Sequence, residues 1–294
     1  MEFLNKFDKQ QVQKITLIVI AALTILALVL LLVIVVASVN PTNSFGFSGG
    51  FSNMEDLQIS DNDLKTGTLV LADDEHSYNY TFSDDELYGC GAYRKDHIEK
   101  DDSGKMINAY YMNSQSAMKL TQEAMAALHN MLVDAESNVK KDMLCIDSCY
   151  GYMDESTKEE YKTAQLVYLA GIVSSNEPNV DLPKEYREWL DANAAKYGFI
   201  ESFEDGYRYV GVAHAKAISG SNDINSLAEY IAYLKENTSA NASKTIETSV
   251  DGATYKIYYA TPVDGKIQIP SESEGEVTIS GTNEGGVIVT VKVK

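Results

Sequence analysis

The 294-residue sequence predicts an α+β fold: a small antiparallel sheet packed with helices, preceded by one transmembrane helix and followed by a β-rich C-terminal tail. Three observations predict it. Residues 15–37 form a continuous apolar run, amphipathic helical stretches interleave with short buried-strand patterns up to about residue 240, and from Thr245 the apolar period changes to two.

Ile15–Ala37 is 23 residues without a charge, interrupted by Thr16 and Thr24. At about 1.5 Å per residue it crosses a hydrocarbon core of about 30 Å, and it is too long for a signal-peptide core. Lys6, Lys9 and Lys14 precede it, and no Lys or Arg follows until Lys65. The excess of positive charge on that side assigns residues 1–14 to the cytoplasm as a short tail. The expected location is therefore the cell membrane, single-pass, with the domain extracytoplasmic. Residues 38–55, including Asn40–Met54 with its Pro, Gly, Ser and Asn, read as a flexible tether. Phe45, Phe47 and Phe51 offer it an alternative, to dip into the membrane interface.

Hydrophobic residues make up 45% of the chain, enough for a core. The formal charge is −19, and because residues 1–14 carry +1, the remainder carries −20. Such a surface repels nucleic acid and anionic wall polymers. Cys90, Cys145 and Cys149 have no zinc-finger or C-x-x-C spacing. Cys145 and Cys149 stand about 13 Å apart on an extended strand, too far to bond. Cys90 could reach either, so buried free thiols and one disulfide both remain open. Cys149 as a nucleophile lacks a His or Asp placed beside it by any motif. Of the four histidines, His129 falls on a helix at the surface or core edge, and His76 in a solvated acidic turn beside Asp73, Asp74 and Glu75.

The main domain is expected over residues 56–240. Thr121 is a credible N-cap for a helix with Met125, Leu128, Met131 and Leu132 on one face. Met143–Ile146 reads as a buried strand, and Ser156–Val173 as a helix through Ala164, Leu166, Val167, Leu169 and Ala170. Trp189, Leu190, Ala194 and Tyr197 fall at helical spacing, with Gly198 as C-cap before a strand at Phe199 and Ile200. Ile224–Asn237 is another helix, apolar at Leu227, Tyr230, Ile231 and Leu234. In the tail, 241–294, strands are expected at Tyr255–Ala260, Lys266–Ile269, Val277–Ser280 and Val287–Val293. Asp264-Gly265 marks a hairpin turn, Gly281–Gly286 a loop, and Val287, Val289, Val291 and Val293 share one face.

One phrase is more specific than periodicity. Tyr207-Arg208-Tyr209-Val210-Gly211, followed by His214-Ala215, resembles the VanY-type D-alanyl-D-alanine carboxypeptidases, zinc peptidases of the LAS group. Asp63–Tyr80 resembles that family's amino-terminal arm, Leu120–Leu132 its first core helix, and Tyr255–Val293 the β-rich tail of many clostridial members. Cys145–Tyr150 stands where the family has a strand ending in Ser-Gly-Tyr-Arg. The resemblance implies a LAS/VanY-like fold, a zinc cofactor and a peptidoglycan stem peptide as ligand, in a Gram-positive envelope.

Carried over residue by residue, the resemblance removes its own chemistry. In Glu159–Tyr168 the positions of the family's first two zinc ligands hold Tyr161 and Tyr168. The third ligand position holds Gly206, the general-base position Phe203, and the Arg position Gly151. Glycine offers no donor, and a neutral phenol with a pKa of about 10 is a poor zinc ligand. The expectation is a chain with no metal and no catalytic residue, so that enzymatic activity is in doubt. Ser148, Tyr150, Tyr161, Tyr168, Phe203 and Tyr207 would line the former cleft, where aromatics either stack on a ligand or fill the emptied site. The leading expectation is a membrane-anchored pseudo-peptidase binding cell-wall peptide or an envelope protein. The alternatives are an active zinc carboxypeptidase with displaced ligands and a structural subunit of an envelope complex.

Overall fold

The computed structural model describes residues 45–113, 117–141, 143–152, 158–172 and 181–294. The expected cytoplasmic tail and membrane span lie outside them, and among the described residues no helix is long and apolar enough to cross a membrane.

In chain order, the first half contains β1 (Gly46–Gly49), β2 (Met54–Gln58), β3 (Leu87–Gly89), α1 (Cys90–His97), β4 (Tyr111–Met112), β5 (Lys119–Thr121), α2 (Gln122–Val139), β6 (Leu144–Cys149) and β7 (Leu166–Gly171). The second half contains α3 (Lys184–Asn193), β8 (Phe199–Phe203), β9 (Gly206–Tyr209), α4 (Val212–Ser219), α5 (Leu227–Asn237), β10 (Lys244–Val250), β11 (Ala253–Ala260), β12 (Lys266–Pro270), β13 (Gly275–Gly281) and β14 (Val287–Val293).

Two five-stranded sheets organise these elements. The first has the order β4-β6-β7-β9-β8, antiparallel except for the parallel β4–β6 edge pair. One side of it carries α2, whose stripe of Ala124, Met125, Leu128, Met131, Leu132 and Ala135 at helical spacing is fully buried. That stripe packs with Leu144, Ile146 and Cys149 of β6, Val167 and Leu169 of β7, and Tyr186 and Leu190 of α3. Thr121 occupies the N-cap position of α2, but its hydroxyl makes no capping bond there, and the helix ends at Lys140 in the left-handed region, φ 58°.

The helix expected over Ser156–Val173 is not found. Its described residues form a short 3-10 turn at Glu159–Thr163 and then β7. Ala164, at φ 55°, turns the chain out of the helical region, and the Leu-Val-Tyr-Leu-Ala-Gly run enters the sheet between β6 and β9. A strand buried on both faces is apolar throughout, and over six residues such a pattern reads as well for a helix.

The second sheet, β1-β10-β11-β14-β13, is antiparallel throughout. Along β14, Val287, Val289 and Val291 join a cluster with Tyr258, Ala260, Ile267 and Ile269, whereas Ile288 faces α4 and α5 through Ala213, Leu227, Tyr230 and Ile231. Both faces of β14 are therefore covered. Asp264 and Gly265, at φ 51° and 71°, make the expected hairpin turn, closed by the Val263 to Lys266 pairing. Where a tether was expected, residues 46–49 are β1, paired with β10, and residues 54–58 are β2, paired with β12. The backbone amides of Ser52 and Asn53 both donate to Glu274 Oε1 at 3.1 Å. The spacer reading fails from residue 46 onward because the partners of this Gly- and Ser-rich segment lie some 200 residues later in the chain. Residues 43–294 accordingly form one compact unit, with the tail built into it.

Candidate functional site

The candidate site lies along β6, β7 and the β8–β9 hairpin. A bulge in β6 between Ile146 and Ser148 shifts its register against β7, so that Ser148 pairs with Tyr168. Tyr168 pairs in turn with Gly206, and Gly206 with Phe203 across the hairpin. The 3-10 turn delivers Tyr161 to the same place: its hydroxyl lies 3.2 Å from Ser148 Oγ, and its ring centroid 6.4 Å from that of Phe203. Phe203 also stacks on Tyr168, with centroids 6.4 Å apart and planes at 14°, and Lys158 Nζ sits 4.2 Å from the Phe203 centroid.

Ser148, Tyr161, Tyr168, Phe203 and Gly206 thus lie together. The missing side chain at Gly206 is part of the packing. A Cβ built there meets the Phe203 ring at 2.4 Å, so the aromatic ring occupies the space a larger residue would need. Tyr161 is 8% exposed, and burial raises its phenol pKa, only partly offset by the Ser148 hydrogen bond. Tyr168 is half-buried, and its pKa is raised by desolvation and then by the charges of Asp205 and Asp147. Both phenols stay protonated at neutral pH.

Tyr150, Gly151 and Tyr207 go elsewhere. Tyr150 packs its ring edge-on against Phe82, 5.6 Å away, in an aromatic group continued by Tyr78 and Tyr80. Gly151 has φ 86°, and a Cβ on it would fall 2.1 Å from the Ala117 carbonyl oxygen, so no arginine-like side chain fits that backbone. Tyr207 alternates with Gly206 along β9 and points to the helical side, 1% exposed among Leu190, Ala194 and Phe199. Its hydroxyl has no partner among the described residues.

Other residues hold the site in roles that no motif indicated. Asp205, 3% exposed at the hairpin tip, takes two hydrogen bonds from Arg187 of α3, at 2.9 and 2.7 Å. Arg208 is fully buried and donates to Glu160 Oε1 at 3.2 Å, to Gln165 Oε1 at 3.1 Å and to the Val70 carbonyl at 3.1 Å. Glu160 also accepts from Ser202 Oγ at 2.7 Å, which fastens the turn carrying Tyr161 to the hairpin carrying Phe203. Arg208 belonged to a phrase already singled out, but its partner three-dimensionally adjacent at Glu160 left no sequence signal. His129, expected at the surface or core edge, is 7% exposed with Nδ1 3.0 Å from the Tyr110 hydroxyl.

The residues at this site do not fit a zinc ion. Two protonated phenols, a phenylalanine and a glycine offer no anionic or imidazole donor, and among the described residues no group of three His, Cys, Asp or Glu side chains is placed to hold a metal.

No family model matches the chain, and no curated protein does. Among solved structures, the chain is similar to the LdcB LD-carboxypeptidase at 20% identity over 52% of this chain and 79% of that one, with a TM-score of 0.34. It is similar at 17% identity to the vancomycin-resistance D,D-dipeptidase VanXYg, crystallised with a D-Ala-D-Ala phosphinate analogue. That match has a TM-score of 0.60 and covers 82% of this chain and all of the other, so the fold is that of the D,D-dipeptidase.

Proposed function

We propose that the chain is a membrane-anchored, extracytoplasmic VanY-like pseudo-peptidase, which binds a cell-wall stem peptide or an envelope protein without hydrolysing it. The observation that supports this reading is the packing at the positions where the resemblance implies zinc ligands and a general base: Phe203 lies over Gly206 and against Tyr161 and Tyr168. Nothing there can acidify a water, and no carboxylate takes the general-base position. What persists is a surface formed by Ser148, the half-buried rings of Tyr168 and Phe203, and the Lys158 ammonium. Flat rings beside a cation suit an extended peptide ending in a carboxylate. The fold shared with a dipeptidase crystallised with a D-Ala-D-Ala analogue supports the stem peptide as the first ligand to test.

The test uses the full-length chain. After dialysis it should retain far less than one zinc per chain, and a pentapeptide ending in D-Ala-D-Ala should release no D-alanine above a protein-free blank. Titration by NMR should show saturable binding of the pentapeptide, weakened by about tenfold in Tyr168→Ala. Stoichiometric zinc with D-alanine release would establish the displaced-ligand enzyme instead. Absence of any response to the peptide would favour the structural subunit.

A further inference from the structure

We infer that Cys90 and Cys149 are joined by a disulfide that fastens the start of α1 to the end of β6, and that Cys145 remains a free thiol. The two sulfurs lie 3.7 Å apart, both residues are 0% exposed, and both belong to the core cluster under α2. A disulfide is about 2.05 Å long, so a small rotation of the two side chains closes the gap. Each backbone is already held in place: the Cys90 amide donates to the Met118 carbonyl at 2.9 Å, and Cys149 pairs with Val167 of β7.

The bulge in β6 decides which cysteine is used. In a regular strand, residues 145 and 149 would point the same way, because side chains alternate with a period of two. The extra residue between Ile146 and Ser148 reverses the alternation. Cys149 therefore joins Leu144 and Ile146 on the face that Cys90 shares, and Ser148 is turned out to Tyr161. Cys145 falls outside that cluster, with its sulfur 3.5 Å from the Ile146 carbonyl oxygen. A metal does not explain the pair, since among the described residues no third donor accompanies it.

The bond forms by exchange with a low-molecular-weight or protein disulfide. The Cys90 sulfur attacks one sulfur of the donor and expels one thiol. Cys149 then attacks the mixed disulfide at Cys90 and expels the second. The two protein thiols lose two electrons and two protons, and the donor disulfide is reduced to two thiols. The adjacent Cys90 thiol, and then burial, push the Cys149 thiol pKa far up, which suppresses the thiolate in the folded protein. Exchange accordingly takes place during folding, before the core closes, and the finished bond is structural. In the cell it needs an oxidising compartment, so there it rests on the extracytoplasmic location proposed above.

The experiment separates geometry from location. Full-length chain refolded with oxidised glutathione should weigh about 2 Da less than the reduced chain, and alkylation after denaturation should mark Cys145 alone. Cys145→Ser should keep the cross-link, whereas Cys90→Ser and Cys149→Ser should each abolish it. Reduction should lower Tm by on the order of 10 °C, as expected for opening a loop of nearly sixty residues. Three alkylated thiols, or a cross-link through Cys145, would overturn the assignment in the wild-type chain whether or not the variants fold. Chain alkylated inside intact cells before lysis should carry the same link. If it is reduced there but linked after refolding in glutathione, the bond is overturned in the cell by its location and not by its geometry.

Discussion

His214 is 6% exposed, with Nδ1 3.0 Å from the Tyr230 hydroxyl and Nε2 2.9 Å from Thr290 Oγ1, and burial pushes its pKa down to about 3. The unfolded chain binds a proton at this residue below about pH 6.5, and the folded chain does not until about pH 3. The stabilisation is therefore complete above pH 6.5 and is lost progressively as pH falls through that window, about 2 kcal/mol of it by pH 5. Urea midpoints measured between pH 7 and 5 should show this slope, and His214→Gln should flatten it. A second expectation concerns the filled site. Gly206→Ala pushes a methyl into the Phe203 ring and should destabilise by about 1–3 kcal/mol. In a Phe203→Ala background the same change should cost about 1 kcal/mol less, which a double-mutant cycle measures. Tyr161, Tyr168, Phe203 and Gly206 were grouped in the sequence only through the family resemblance, since nothing in their own spacing joins them. Tyr207 was misplaced because its neighbourhood in the phrase says nothing of strand alternation, which sends adjacent residues to opposite faces.

At the scale of elements, α5 is the best-specified helix. Ser226 Oγ accepts from the Glu229 amide at 3.1 Å, and Glu229 Oε2 accepts in turn from the Asn225 amide at 2.7 Å. Ser226→Ala should lower stability by about 1 kcal/mol, read from the denaturant midpoint, with little change in the denaturant slope. This helix and α2 were legible because each buries a stripe at helical spacing, and β11 to β14 because of their short apolar runs between turn residues, whereas β10 was not expected. β7 was not, since a centrally buried strand has no polar face to set its period. β1 escaped for a different reason. Its Gly-Phe-Ser-Gly sequence carries no strand propensity, and its order comes from β10, a partner invisible at short range.

Across the whole molecule, the tail is a core element. Ile246, Ile257, Tyr259 and Ile288 pack in one cluster with Leu69, Val210, Ala213, Tyr230 and Leu234. Thr290 meets the buried ring of His214, and Gly281 donates its amide to the Thr66 carbonyl at 2.7 Å. Ending the chain at residue 240 would expose that apolar surface at roughly 25 cal/mol per Å², more than the margin of an ordinary domain allows. The truncated protein should lose its cooperative thermal transition and be degraded rapidly in limited proteolysis, while the intact chain resists.

The pairing of β1 with β10 and of β2 with β12 also sets a timetable. A ribosome adding about 5–20 residues per second reaches the partners of β1 and β2 some 10–40 s after making those strands. Until then their backbone groups hydrogen-bond to water instead of to a strand, and loops this long close slowly even when complete. The first two strands therefore wait unpaired for the last ones.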